Sequence, residues 1–172
     1  EYTIETVPNV HLQNAKAYVS NPDAILSPST EQQINLLLDS LQTKTSAEIA
    51  VVAVNSIGDA DIKQFATALF EHWGIGKREK DNGLLILFVL DQRKITFETG
   101  YGLEGILPDA ICKRIQTRYM LPEFKTGNYD KGMLQGLNAI HHRLSTPEAQ
   151  DELWVQSQTA QEDWGKVLQY YA

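Results

Sequence analysis

The sequence predicts an α/β protein, a three-layer α/β/α sandwich around a mixed sheet with one parallel crossover and one antiparallel hairpin. Three observations carry this. The segments 48–54 (EIAVVAV) and 83–90 (GLLILFVL) are apolar on both faces, as central strands require. An amphipathic helix lies between them, and strand, helix, strand in that order implies a right-handed parallel crossover. Behind a short Asp91-Gln92 reversal, residues 93–99 alternate, with Ile95, Phe97 and Thr99 on one face and Lys94, Thr96 and Glu98 on the other. That is the pattern of a half-exposed strand returning antiparallel to the one before it.

The remaining elements follow in order. Residues 1–26, with Pro8, Pro22 and the polar turn Ser20-Asn21-Pro22-Asp23, read as irregular. Ser27-Pro28 then offers a helix cap with proline at the first position, and Thr30 to Gln33 also matches a capping box. The stripe Ile34, Leu37, Leu38, Leu41 has the spacing of one buried helical face. In the crossover helix Ile62, Phe65, Ala66, Leu69, Phe70 and Trp73 form the stripe, and Gly74 and Gly76 end it. Two later helices are expected, from about Pro108 to Tyr119 and from about Tyr129 to Leu144. Residues 1–146 make one domain. Residues 147–172 are mostly polar with scattered aromatics, and read as a helical appendage that packs on the domain or leads toward a membrane segment.

Composition narrows the function classes. A net charge of −7 disfavours a nucleic-acid partner, because the phosphate backbone would be repelled. No basic patch is legible in the sequence; Lys77, Arg78 and Lys80 are the densest cluster, and Glu79 interrupts them. The lone Cys112 excludes a disulfide within the chain and a thiolate metal site, and its apolar helical surroundings suit a buried structural thiol. No apolar run approaches the ~18 residues that span a bilayer.

The candidate chemistry comes from the hairpin register. A reversal at 91–92 puts Gly83 roughly opposite Gly100, and Asp81 opposite Gly102. Asp81-Asn82-Gly83 and the loop Gly100-Tyr101-Gly102-Leu103-Glu104-Gly105 thus meet at one end of the sheet. The crossover helix ends at that edge in Gly74-Ile75-Gly76, and a parallel first strand would start there with Glu48. The loop leads into the helix carrying Asp109 in its first turn, where a carboxylate also complements the helix N-terminus. Asp81, Asn82, Glu104 and Asp109 are therefore the candidate metal ligands, all oxygen donors of the kind hard cations take. The same residues also suit an ordinary turn, with the glycines serving backbone conformation alone.

Other schemes fit less well. Gly100-x-Gly102-x-x-Gly105 matches the dinucleotide fingerprint literally, but it follows the return arm of a hairpin and no later strand exists. His11, His72, His141 and His142 lack ligand spacing, and no nucleophile elbow, phosphate-binding loop or H-E-x-x-H occurs.

Several blocks together resemble the TPM domain family: WGIGK from Trp73, DNGLLIL from Asp81, TGYGLEG from Thr99, LPD from Leu107 and FKTGNYD from Phe124. The lead-in LSP from Leu26 and AEIAVV from Ala47 also fit, and the resemblance spans about residues 6 to 145. It implies a compact, Rossmann-like α/β/α fold, usually exported to the periplasm or cell surface and commonly held at the membrane by a segment beyond the domain. It also implies a divalent cation, calcium first and magnesium or manganese next, in an acidic groove at the sheet edge. On this chain that groove maps to Asp81, Asn82, Glu104 and Asp109, with Glu48 and Glu98 as weaker candidates. Acid phosphatase activity and service to membrane protein complexes are both attributed to relatives.

Two readings follow. In a metal-dependent phosphomonoesterase, Asp81, Glu104 and Asp109 would be the catalytic groups, and backbone amides around Gly100, Tyr101 and Gly102 would cradle a phosphorylated small molecule. In a calcium-stabilised interaction module, the same rim would serve assembly or maintenance of a membrane protein complex. The domain is expected to be monomeric in either case.

Overall fold

The computed structural model describes residues 1–77 and 81–146. The expected appendage at 147–172, and Arg78, Glu79 and Lys80 of the basic cluster, lie outside the described residues. Four strands run in spatial order β1 (Val19–Ser20), β2 (Glu48–Val54), β3 (Gly83–Val89) and β4 (Lys94–Thr99). β1, β2 and β3 are mutually parallel, and β4 returns antiparallel to β3. Helices cover both faces, as the sequence predicts.

The two central strands explain the sandwich. Val51, Ala53, Leu84, Ile86 and Phe88 join one buried cluster, while Val52, Val54, Leu85, Leu87 and Val89 join the other. Because side chains alternate across a strand, an all-apolar strand must be covered on both sides. Helices α2 (Pro28–Thr45) and α6 (Tyr129–Leu144) cover the first face, through Ile34, Leu38, Leu41, Met133, Leu137 and Ile140. Helix α3 (Ile62–Trp73) covers the second, through Phe65, Ala66, Leu69 and Phe70. The Ser27 hydroxyl caps α2 by accepting the Thr30 N–H at 3.2 Å, and the Asp61 carboxylate caps α3 by accepting the Gln64 N–H at 2.9 Å.

The structure corrects two expectations. Residues 1–26 are not wholly irregular: they hold a one-turn helix α1 (Val10–Gln13) and the edge strand β1, which adds a second parallel crossover through α2. Two residues of strand carry no periodicity, so no sequence pattern could have shown it. The helix expected to end at Tyr119 begins as α4 (Asp109–Ile115), widens into a π-helical turn at Gln116–Met120 and continues as α5 (Leu121–Lys125). Pro122 looks like a stop signal, but it lies in the first turn of α5, where its missing N–H breaks no bond.

The FKTGNYD block is structural. Phe124 and Tyr129 pack their rings on Phe88, with centroids 4.8 and 5.3 Å away. Gly127 takes the left-handed turn between α5 and α6 at φ 80°, and the Asp130 carboxylate accepts the Ser27 N–H at 2.9 Å, tying α6 to the start of α2. Among the described residues no helix is long and apolar enough to cross a membrane.

Candidate functional site

The hairpin register is the one the reversal predicts. Leu84 pairs with Thr99, and the ladder continues as Gly100 N–H to Gly83 O at 2.8 Å and Gly102 N–H to Asp81 O at 3.1 Å. Glu48 pairs with Gly83 across the parallel ladder, so the starts of β2 and β3 and the end of β4 share one rim. The end of α3 reaches the same rim. There the Gly76 N–H donates to Glu48 Oε2 at 3.1 Å, and Gly76 O accepts the Asp81 N–H at 3.0 Å.

Gly76, Gly83 and Gly100 make this junction possible. A Cβ on Gly76, whose φ is +76°, would overlap the Gly83 backbone nitrogen, and one on Gly100 would overlap the Asp81 carbonyl oxygen. Backbone therefore packs against backbone at the rim, where only glycine fits. Asp81 itself sits in the left-handed region at φ 62°, which aspartate tolerates better than most residues.

The candidate ligands are placed as follows. Asp81 is half-exposed, and its Oδ1 lies 3.4 Å from Lys77 Nζ. Asn82 is buried, and its Nδ2 donates to Ser46 Oγ at 3.1 Å, which holds the α2–β2 turn against the rim. Glu104 follows the 3₁₀ turn Tyr101–Leu103 and is exposed, as is Asp109 in the first turn of α4. Glu48 is occupied by the Gly76 amide, and Glu98 by Lys63 Nζ at 2.7 Å and the Thr67 hydroxyl at 3.1 Å, both from α3. Among the described residues no three His, Cys, Asp or Glu side chains come together as a ligand group. Asp81, Glu104 and Asp109 do not make up such a group. As a donor set they are carboxylate oxygens open to water, which suits a hard cation held by one or two carboxylates with water completing its shell.

Four of the loop amides are engaged. Besides Gly100 and Gly102, the Leu103 N–H donates to Gly100 O at 3.0 Å and the Glu104 N–H to Tyr101 O at 3.3 Å. Tyr101, by contrast, is 80% exposed at the tip. Behind the loop Cys112 is buried, and burial together with the nearby Asp109 charge pushes its thiol up to about 11, as an inert structural thiol should be.

One feature contradicts the sequence reading of charge. The fold gathers a basic patch after all: Arg114 and Arg118 from the α4 and π-turn segment face His142 and Arg143 of α6 across a groove of about 540 Å³. Arg143 is anchored by its Nε–H to Ile106 O at 2.8 Å. Local clustering along the chain could not show it, because Arg114 and Arg118 lie more than 20 residues from Arg143 in sequence. The one available signal was the i, i+4 spacing of Arg114 and Arg118.

Fold and rim together put the chain among small three-layer α/β/α domains whose loops gather at one end of a mixed sheet. It belongs to the TPM domain family, whose model matches residues 19–143. Three solution structures are similar. The N-terminal domain of a P. gingivalis protein is 42% identical, with a TM-score of 0.78 over 83% of this chain and 91% of that one. A protein of the psychrophilic bacterium Bizionia argentinensis shares the fold at 20% identity, TM-score 0.62, over 72% of this chain and 83% of that one. The N-terminal domain of a Corynebacterium glutamicum protein does so at 14% identity, TM-score 0.58, over 86% and 92%. No curated protein matches the chain.

Proposed function

We propose that this TPM domain is a cation-dependent interaction module that binds a divalent ion, calcium first, through Asp81 with Glu104 or Asp109. The engagement of four of the loop amides carries this choice over a phosphomonoesterase. Phosphoryl transfer needs donors aimed at the phosphate oxygens. Here the Gly100, Gly102, Leu103 and Glu104 N–H groups already serve the backbone. A cation bridging exposed carboxylates and water asks nothing of those amides. Few protein ligands imply weak binding, with Kd about 10⁻⁴–10⁻³ M as in extracellular modules. An extracytoplasmic location, with the domain held near a membrane by chain beyond it, suits that affinity. The P. gingivalis and C. glutamicum structures are both described as N-terminal domains, so those two proteins continue past theirs.

The test is a calcium titration of thermal stability in wild type and Asp81→Asn. Asparagine tolerates the left-handed backbone at this position, whereas alanine would add strain. At a ligand excess of about ten times Kd, the wild-type Tm should rise about 3–5 °C, and the variant should lose most of that rise. An equal rise in both proteins would sink the site. Metal-dependent hydrolysis of a generic phosphomonoester, lost in Asp81→Asn, would restore the enzymatic reading.

A further inference from the structure

The groove between α4 and α6 has no part in the cation site, and its composition is out of character with the rest of the chain. Three of the arginines, Arg114, Arg118 and Arg143, line it with His142, in a protein of net charge −7. Among the described residues that line it none is acidic. Like charges one helical turn apart are mutually destabilising by a few tenths of a kcal/mol, and the Arg143 guanidinium across the groove adds to this. Such crowding is relieved when an anion sits between the groups. The π-helical turn at Gln116–Met120 runs along the same wall and carries Arg118 and Tyr119. Turns of this kind recur at functional sites.

We propose that this groove is a docking site for an acidic peptide segment of a partner protein. Ile111, Ile115 and Ala139 give the groove an apolar lining beside the arginines, which accepts aliphatic side chains. Gln135 and Asn138 line the groove from α6 and offer both donors and acceptors, which match the N–H and C=O groups of a peptide; a phosphate has only acceptors to give. Arg114 and Arg118 are separated along the helix by roughly 6 Å, close to the spacing of alternate residues in an extended chain. Two carboxylates at i and i+2 therefore reach both guanidinium groups, whose planar forks bind carboxylates bidentately. The proposal names the partner chemistry of the interaction-module reading, but it needs no cation at the rim.

Fluorescence anisotropy in EDTA tests it, so that failure of the cation site leaves the result intact. The probes are a labelled short peptide alternating Glu and Leu, its Lys–Leu counterpart, phenyl phosphate as competitor, and vesicles of anionic phospholipid in a sedimentation arm. The Glu–Leu peptide should bind and the Lys–Leu peptide should not. Arg114→Gln/Arg118→Gln should weaken binding about ten-fold or more while the variant stays folded, melting no lower than wild type. Amide shifts on binding should concentrate at 111–119 and 135–143. Glu–Leu binding that survives in the double variant overturns the proposal. So does arginine-dependent binding of phenyl phosphate or vesicles without binding of the peptide, which would make the groove a phosphate or membrane site.

Discussion

The rim and the α4–α6 groove are both charged, but they are built from different material. At the rim the shape is set by backbone: Gly76 lies against Gly83, and Gly100 against the Asp81 carbonyl, with ladder hydrogen bonds of 2.8 and 3.1 Å continuing into the loop. In the groove it is set by side chains projecting from two helices, with Arg143 fixed by a bond to Ile106 O. Backbone contact leaves almost no freedom of substitution, so it confines residue identity to glycine. Side-chain contact leaves the helix backbone indifferent to what it carries. The rim should therefore respond to mutation through folding, and the groove through binding.

The largest effect expected from this contrast is at Gly76. Alanine there meets backbone that cannot give way, and the positive φ of +76° adds conformational strain. Gly76→Ala should lose about 3 kcal/mol of stability, read as a lower denaturant midpoint at unchanged m-value. A loss below about 1 kcal/mol would show that the rim can spread, and the account of its rigidity would fail.

Cys112 tests the region between the two sites. Its thiol is raised from 9.0 to about 11, first by burial and then by Asp109, so both causes favour the neutral form. At pH 8 the folded protein holds about one hundredth of the thiolate of a free cysteine, and iodoacetamide should label it correspondingly slowly. Above pH 9 the unfolded chain ionises first, so the stability linked to this group is present below about 9 and declines toward 11. The labelling rate in native buffer against that in denaturant measures the difference; near-equal rates would mean that α4 opens readily.

Gly136 sharpens the comparison on the helical side. A Cβ there overlaps the Cγ, Sδ and Cε of the buried Met120, an unbranched side chain with rotatable bonds, rather than backbone. Alanine also gains about 1 kcal/mol of helix propensity over glycine. Gly136→Ala should therefore change stability by less than about 1 kcal/mol in either direction, in contrast to Gly76→Ala. A large loss would mean that Met120 is held as firmly as backbone.

The same distinction decides what could be read from the sequence. The rim was legible because its parts are contiguous: a reversal at Asp91-Gln92 fixes which residue faces which, and the Gly83–Gly100 pairing follows by counting. The buried strands were legible because a strand apolar on both faces has one solution. β1 was not, since Val19–Ser20 is held by pairing with Val51 and Val52 rather than by any pattern of its own. The engagement of Asn82 with Ser46, of Glu48 with Gly76 and of Glu98 with Lys63 was hidden for a similar reason. A carboxylate or amide in a motif says nothing about which nearby donor already holds it. The groove was least legible of all, because its charges belong to separate helices and become a patch only when α6 packs beside α4.

The smallest predicted effect tests whether that patch is electrostatically crowded. Replacing Arg114 and Arg118 with Gln removes two like charges from exposed positions without touching the buried Ile115 or Met120. Were the arginines mere solubilising surface in an acidic protein, losing them would raise the net negative charge and slightly lower stability. If instead they repel each other and Arg143 of α6, the double variant should be a few tenths of a kcal/mol more stable at low salt. The gain should vanish near 1 M salt, where the screening length falls to about 3 Å. Melting curves at low and high salt separate the two cases by sign. A gain at low salt means that the groove maintains a charge cluster at some cost to folding, which is the state an acidic partner would relieve.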